Sequence, residues 1–124
     1  MTPLHLAAHS GYADIVYILI QHDAIANIYD GDRRIPLHSA VLSNSADTIK
    51  CLIANGGDIN YRDGDLFTPL LLACASGLQI ATECLISLEA DIFATDKNER
   101  TCLHLAILSR QYDILHYLLL VSIG

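Results

Sequence analysis

Hydrophobic and polar positions along the chain recur with a period of 33 residues. The segment TPLHLAA returns three times, as IPLHSAV, TPLLLAC and TCLHLAI, and the four copies begin at Thr2, Ile35, Thr68 and Thr101. A fixed period of about 20–50 residues indicates a repeat architecture, in which each unit is one supersecondary element. The period divides the chain into a partial repeat at 1–29, complete repeats at 30–62 and 63–95, and a partial repeat at 96–124.

Each repeat predicts two short helices followed by a turn. In the second repeat, Pro36 opens a helix at a position where its missing N–H costs nothing. Asn44 ends this helix, because asparagine tolerates the left-handed conformation. Ile49, Leu52 and Ile53 then have the apolar spacing of a second helix. We therefore expect eight helices in four antiparallel pairs, near residues 3–10, 13–21, 36–43, 47–55, 69–76, 80–88, 102–109 and 113–121.

The repeat motif resembles that of a known family. TPLHLAA at residues 2–8, followed by Gly11 and by DIVYILI at residues 14–20, is similar to the ankyrin repeat, whose signature is T-P-L-H-x-A over two helices and a β-turn. The resemblance covers essentially the whole chain. It implies an all-α ankyrin-repeat solenoid of stacked antiparallel helix pairs, with β-turn or hairpin fingers projecting at right angles. It also implies a non-catalytic scaffold that binds other proteins.

The predicted fingers depart from the ankyrin pattern at one position. Ankyrin fingers usually carry glycine two residues before the Thr of T-P-L-H, and here that position holds Arg33, Leu66 and Glu99. Side chains of these types adopt a positive φ only at a cost. The pairs Asp30-Gly31 and Asp63-Gly64 supply a favoured turn dipeptide two residues earlier, and Asn98 serves the last unit. We therefore expect the turn to have shifted towards these residues.

Charge and composition narrow the class of partner. The 124 residues carry a net charge of −7, and the seven Lys and Arg residues are scattered. Because phosphate binding requires concentrated basic residues, we expect no nucleic acid partner.

Met1 is followed directly by the repeat motif, so we expect no signal peptide. The apolar stretch 69–88 approaches the length of a bilayer span, but Gly77 and Glu83 interrupt it. We expect no membrane insertion of this segment.

The cysteines indicate the compartment. Cys51 and Cys84 occupy equivalent positions in neighbouring repeats. Packed helix axes lie about 8–10 Å apart, whereas a disulfide needs Cα atoms within about 4.4–6.8 Å. We therefore expect all four cysteines to be free thiols, which are typical of a reducing environment. This predicts a cytoplasmic protein, or a cytosol-facing part of a membrane protein.

Three groups of residues have types that could carry chemistry. His5, His38 and His104 recur one repeat apart, too far from one another to share a zinc ion. The ankyrin resemblance implies instead that this histidine forms hydrogen bonds between neighbouring turns. Asp30, Asp63 and Asp96 do not fit the spacing of an EF-hand, and we interpret them as turn-stabilising side chains.

Cys102 and His104 are the remaining candidates, for a nucleophile and its base. Residues two apart on a helix point to different faces, and no third residue is placed to orient the histidine. We therefore expect no enzyme activity, no cofactor, no metal and no small-molecule substrate.

The resemblance places protein binding on the finger tips and on the exposed positions of the first helix of each pair, which together line a concave face. Transferred to this sequence, the candidate residues are Tyr29, Asp32, Arg34, Leu42, Ser43, Arg62, Asp65, Phe67, Ala75, Ser76, Thr95, Asn98, Arg100, Leu108 and Ser109. Arg and aromatic side chains often anchor interfaces, which favours Arg34, Phe67, Arg62 and Tyr29. Position 34 and its equivalents hold Arg, Phe and Arg without disturbing the period, so we expect this side chain to be unnecessary for the fold.

A second functional hypothesis comes from the last two repeats. PLLLACAS at 69–76 and RTCLHLAI at 100–107 are also similar to the degenerate repeats of TRPA-type ion channels. The alternative function is therefore a structural or gating segment of an ankyrin-bearing channel. It requires several transmembrane helices in the same polypeptide. The sequence does not identify the partner under either hypothesis.

Overall fold

The computed structural model of the protein describes residues 1–123, over which the backbone forms eight helices. They are α1 (Pro3–His9), α2 (Ala13–Gln21), α3 (Pro36–Ser43), α4 (Ala46–Ala54), α5 (Pro69–Ser76), α6 (Gln79–Ser87), α7 (Cys102–Leu108) and α8 (Tyr112–Ile123). This confirms the eight predicted helices, with the largest difference at the end of α8. The stretch 69–88 is divided into α5 and α6 at Gly77, whose φ of 70° is left-handed. Among residues 1–123, no helix has the length and apolar character needed to cross a membrane.

The helices form two parallel layers of a solenoid. The first helices of the units pack in the order α1, α3, α5 and α7, and the second helices pack as α2, α4, α6 and α8. The core runs through the stack, and its leucine rows include Leu37, Leu52, Leu70 and Leu85, which are at most 1% exposed. Each helix is shorter than an isolated stable helix, so the stacking supplies the burial that holds it.

Histidines connect the first unit to the second and the second unit to the third. His5 and His38 accept the backbone N–H three residues earlier through Nδ1, at 3.2 Å in both units. Because Nδ1 accepts, Nε2 carries the proton and donates to the Arg34 carbonyl at 2.8 Å and to the Phe67 carbonyl at 2.9 Å. This confirms the role between neighbouring turns that the resemblance implied. Leu71, the equivalent residue of the third unit, is buried and makes no such bond.

Each finger is a tight turn that an aspartate side chain holds together. The Asp30 carboxylate accepts the backbone amides of Asp32 at 2.9 Å and Arg34 at 3.0 Å. Asp63 and Asp96 make the same pair of bonds in their own fingers. The prediction that these aspartates stabilise turns is therefore confirmed. The fingers were expected to be β-turns or hairpins. The hairpin form of the fingers is not confirmed, since residues 1–123 contain no β-strand.

The expected shift of the finger turn is wrong. Arg33, Leu66 and Glu99 adopt φ values of 59°, 62° and 60°, whereas neither Gly31 nor Gly64 has a positive φ, and neither does Asn98. The physical reason is the hydrogen bonding of the turn. The Asp30 carbonyl accepts the Arg33 amide at 3.0 Å, and the Asp30 amide donates to the Arg34 carbonyl at 3.0 Å. These bonds require a left-handed residue at position 33, whatever its side chain.

Candidate protein-binding surface

None of the predicted binding residues is buried. The exposed members are Tyr29, Asp32, Arg62, Asp65, Ser76, Asn98 and Leu108. The half-buried members are Arg34, Leu42, Ser43, Phe67, Ala75, Thr95, Arg100 and Ser109. The half-buried group divides further, because several of these side chains already have a partner inside the array.

Arg34 makes an ion pair between adjacent fingers. Its Nε donates to Asp63 Oδ2 at 3.0 Å, and the Asp63 side chain is only 2% exposed. This contact argues against the expectation that the side chain at this position is unnecessary for the fold, and the stability of an Arg34 variant tests that expectation. A buried carboxylate needs a cation or donors around it, and Arg34 supplies the cation.

The same position has a structural role in the next two units. Phe67 packs against the hydrophobic core, and its carbonyl accepts the bond from His38. Phe67 cannot supply a cation to Asp96 in the following finger. Asp96 instead accepts a bond from Nε of Arg100, in its own finger, at 2.9 Å. Burial by itself raises the pKa of Asp96, but the Arg100 amide and guanidinium outweigh it and hold the pKa below its ordinary value.

The finger tips place one side chain of each unit in the same exposed position. These residues are Asp32, Asp65 and Asn98. The Gly64 amide donates to the Asp32 carbonyl at 2.9 Å, which fixes the second finger against the first. Lys97 Nζ contacts Asp65 Oδ1 at 2.9 Å, and both side chains remain at least 60% exposed. This hydrogen bond lowers the pKa of Asp65 and raises that of Lys97.

A polar groove lies between the first two fingers. It has a volume of about 460 Å³ and is lined by residues 31–34 and 63–65. Its lining carries both signs of charge, from Asp32 and Asp65 and from Arg33 and Arg34. The groove is therefore polar and mixed in charge, unlike the mostly apolar pockets that hold small ligands.

The first helices add an apolar row beside the fingers. It consists of Leu42, Ala75 and Leu108, which occupy one position in three consecutive units. Leu42 and Ala75 pack partly against the core, and Leu108 is 64% exposed. The next position holds serine in each unit, and the hydroxyls of Ser43 and Ser109 donate to carbonyls of their own helices. Those two hydroxyls therefore have internal partners, whereas Leu108 offers free apolar surface.

The comparison with protein families agrees with this geometry. A family model described as ankyrin repeats (3 copies) matches residues 1–63 and again residues 61–123. The chain belongs to the ankyrin-repeat family. No curated protein matches it. Ankyrin repeats are in general protein–protein interaction modules without catalytic activity.

Two features of this ankyrin surface were not predicted. The Arg33 guanidinium lies 5.2 Å from the centre of the Tyr29 ring, a cation–π contact. Lys97 reaches across to the preceding finger, as described above. Arg33 makes its contact from a left-handed conformation, with a φ of 59°, that the sequence pattern did not predict at this position. Lys97 and Asp65 lie in different fingers, so no local sequence signal points to their contact.

The cysteines and the possible metal ligands are the remaining side chains that could carry chemistry. The cysteines are free, and Cys74, Cys84 and Cys102 are buried. Burial is the main cause that raises the pKa of the Cys84 thiol. Within residues 1–123, no group of three or more His, Cys, Asp or Glu side chains is placed to hold a metal ion.

Proposed function

We propose that this ankyrin array binds a segment of another protein along its fingers and concave face. The observation that carries the proposal is the repeated tip position, where Asp32, Asp65 and Asn98 are all exposed. Backbone and aspartate hydrogen bonds already satisfy the turns beneath them. The tips therefore project from a rigid scaffold, and a preorganised surface loses little entropy when it binds.

The apolar row supports the same surface from the helical side. Leu42 and Leu108 flank Ala75, so a partner lying across the units meets two larger apolar contacts separated by a shallow one. Interfaces commonly combine an apolar centre with a polar rim. The tip carboxylates form this rim, and with the net charge of −7 they favour a partner segment that carries apolar residues beside basic ones.

The experiment compares capture of proteins by four forms of the array under identical conditions. The wild type is matched with Leu108→Glu on the apolar row, Asp32→Lys on a finger tip and Ile80→Glu on the outer helix α6. Ile80 is 52% exposed and its equivalents are Asp14, Asp47 and Asp113, so an acidic residue suits that position. Circular dichroism checks that each variant keeps its helices.

The proposal predicts a protein that the wild type and Ile80→Glu retain and that Leu108→Glu and Asp32→Lys lose. Leu108 is the better test of the row than Leu42, because Leu42 packs partly on the core and its replacement also affects folding. Capture that survives both surface variants but is lost with Ile80→Glu would place binding on the outer helices instead.

The channel hypothesis stays a prediction. It agrees with the same ankyrin fold and differs only in what the array is attached to. Its test is the longer reading frame, in which a channel requires several transmembrane helices in the same polypeptide as the array.

A further inference from the structure

Two buried thiols meet at the junction between the third and fourth units. Cys74 lies in α5 and is fully buried, and Cys102 is the first residue of α7 and is 2% exposed. The two side chains form a hydrogen bond with each other. They are 28 positions apart along the chain and so do not occupy equivalent positions. The helix spacing that excludes a disulfide between equivalent residues therefore does not exclude one here.

The burial of equivalent residues shows which neighbour covers Cys102. Its equivalents in the three other units are Pro3, Pro36 and Pro69. Pro36 and Pro69 are buried, whereas Pro3, which has no preceding unit in the structure, is exposed. The preceding unit thus covers this position in the stack, and the third unit covers Cys102.

The same comparison shows that the fourth unit covers Cys74. Its equivalents Ala8 and Val41 are fully buried. Ile107, the equivalent residue of the last unit, is 57% exposed, and no unit follows it among residues 1–123. The following unit therefore covers this position. Cys74 and Cys102 lie on the two sides of one interface, where α5 packs against α7.

Packing of the array does not require cysteine at either position. The first junction holds Ala8 and Pro36 at the corresponding places, and the second holds Val41 and Pro69. All four of these residues are buried in interfaces of the same kind. The thiol pair is thus a feature of the third junction alone, and its chemistry is separable from the fold.

The hydrogen bond gives the two thiols different acidities. Cys74 donates to the Cys102 sulfur, which holds the pKa of Cys102 below its ordinary value, and the backbone amides of Leu103 and Cys102 act in the same direction against the effect of burial. The same hydrogen bond, together with burial, raises the pKa of Cys74. Because the thiolate is the form of cysteine that reacts, Cys102 is the nucleophile of the pair and Cys74 the thiol that lies beside it.

We propose that Cys74 and Cys102 are a reversible oxidation site, which hydrogen peroxide converts into a disulfide that joins the third unit to the fourth. The Cys102 thiolate attacks one oxygen of the peroxide. The S–O bond of a sulfenic acid forms as the O–O bond breaks, and the departing hydroxide takes up the proton that Cys102 released and becomes water.

Cys74 completes the reaction. Its sulfur attacks the Cys102 sulfur, the S–S bond forms as the S–O bond breaks, and the departing hydroxide takes the Cys74 proton to give a second water. The two sulfurs together lose two electrons, and these reduce one peroxide to two waters. Because Cys74 already contacts Cys102, the sulfenic acid meets a thiol before it meets a second peroxide.

The disulfide has a measurable effect on the array. It links residues 28 positions apart and so restricts the unfolded chain, which stabilises the folded state. It also fixes the fourth unit, which carries Leu108 of the candidate surface, to the third. The site itself does not depend on the proposed binding function, because the chemistry needs only the two thiols and the peroxide.

Peptide mapping after mild oxidation tests the site. Fully reduced protein is treated with hydrogen peroxide, the remaining thiols are alkylated in denaturant, and the chain is cleaved after Lys, Arg and Glu. Cleavage at Glu83 separates Cys74 from Cys84, and cleavage at Arg100 places Cys102 in a further peptide. We expect one disulfide-linked pair of peptides, containing Cys74 and Cys102, and a melting temperature several degrees above that of the reduced protein. Dithiothreitol should reverse both changes.

Two variants are the controls. Cys102→Pro restores the residue that the three other units hold at the first helical position, where proline is well tolerated. It should melt like the reduced wild type, and peroxide should produce neither the linked peptides nor the rise in melting temperature. Cys84→Ser should oxidise like the wild type, because the Cys84 thiol donates to the Ala46 carbonyl, at 3.9 Å, and not to another sulfur.

Three results would overturn the proposal. The first is a wild type in which Cys74 and Cys102 remain unlinked at a peroxide concentration that oxidises Cys51, the least buried of the four cysteines. The second is a disulfide that contains Cys51 or Cys84 in place of this pair. The third is an equal rise in melting temperature in Cys102→Pro, which would show that peroxide stabilises the array by acting elsewhere.

Discussion

Arg34 Nε donates to Asp63 Oδ2 across 3.0 Å and so joins one finger of the array to the next. The Asp63 side chain is 2% exposed, whereas 31% of the Arg34 side chain remains exposed. The same carboxylate also accepts two backbone amides of its own turn. The cation therefore completes the environment of a buried acid, which gives Arg34 a role in stability as well as a position on the candidate surface.

We predict that Arg34→Ala lowers the free energy of unfolding by about 1–2 kcal/mol. A hydrogen bond to a charged group is typically worth about 1.5–3 kcal/mol, and the exposure of Arg34 reduces this value. Urea denaturation followed by circular dichroism measures the change.

Lys97→Ala is the matched control for this prediction. Lys97 also pairs with an aspartate of the preceding finger, but the side chains on both sides of that pair are at least 60% exposed. Exposed pairs contribute little, so the control should unfold at the urea concentration of the wild type. An Arg34→Ala variant that also does so would show that the interfinger pair has no stabilising role.

A second prediction concerns the left-handed residue of the last finger. Glu99 has a φ of 60°, a conformation that costs a side chain about 1–2 kcal/mol and costs glycine almost nothing. We expect Glu99→Gly to raise the free energy of unfolding by roughly 1 kcal/mol after the greater freedom of glycine in the unfolded chain is deducted.

Asn98→Gly tests the same finger one residue earlier. Asn98 does not have a positive φ, so glycine there relieves no strain and should leave stability unchanged or slightly lower. Thermal melting of the two variants side by side measures both effects. Stabilisation by Asn98→Gly alone would indicate that the turn is placed where the sequence pattern first suggested.

His38 should make stability depend on pH. Burial lowers its pKa below the ordinary value of 6.5, although the Phe67 carbonyl acts in the opposite direction. The unfolded chain therefore takes up this proton at a higher pH than the folded one. The contribution to stability is complete above the unfolded pKa and is lost as the pH falls through the folded pKa. Protonation also removes the Nδ1 lone pair that accepts the Ile35 amide.

The measurement is the free energy of unfolding between pH 7 and pH 5. His38→Leu copies Leu71 of the third unit and removes the titrating group. Near pH 7 this variant should be less stable than the wild type, because it lacks the bond to the Phe67 carbonyl. The difference should narrow as the pH falls below about 6.5. If the free energy of unfolding changed with pH equally in the wild type and in His38→Leu, His38 would not be the cause of the pH dependence.

Most of the fold can be predicted from the sequence because the same helix and turn signals occur in four repeats. Pro36 and Pro69 locate helix starts, and Asn44 and Gly77 end those helices with φ values of 55° and 70°. One unit alone would not determine these helix boundaries. Because the signals recur every 33 residues, a unit that departs from the motif at one position is still assigned by comparison with the others. The turn-stabilising role of the aspartates was predictable for the same reason.

The details of the candidate site were less predictable, since they depend on contacts between units. The sequence shows Arg34 and Phe67 at one repeated position, but not that Asp63 lies buried beside Arg34. Local turn preferences favoured Gly31 for the left-handed residue, whereas the hydrogen bonds around Asp30 determine that it is Arg33. The first point depends on a contact between units, which no short window of sequence contains. The second depends on local hydrogen bonds within residues 30–34, which outweigh the residue preferences of the turn.

The central claim, that a partner protein lies across the fingers, is tested most directly by carboxylate footprinting of the complex. Asp32 and Asp65 are exposed on the finger tips, and Asp47 and Asp113 are exposed on the second helices α4 and α8. All four are labelled with a carbodiimide and an amine, with and without a protein that the wild-type array captures, and mass spectrometry measures the modified fraction at each site. We predict that binding lowers the labelling of Asp32 and Asp65 and leaves Asp47 and Asp113 unchanged. Protection of Asp47 and Asp113 with unchanged labelling of the tips would contradict the account.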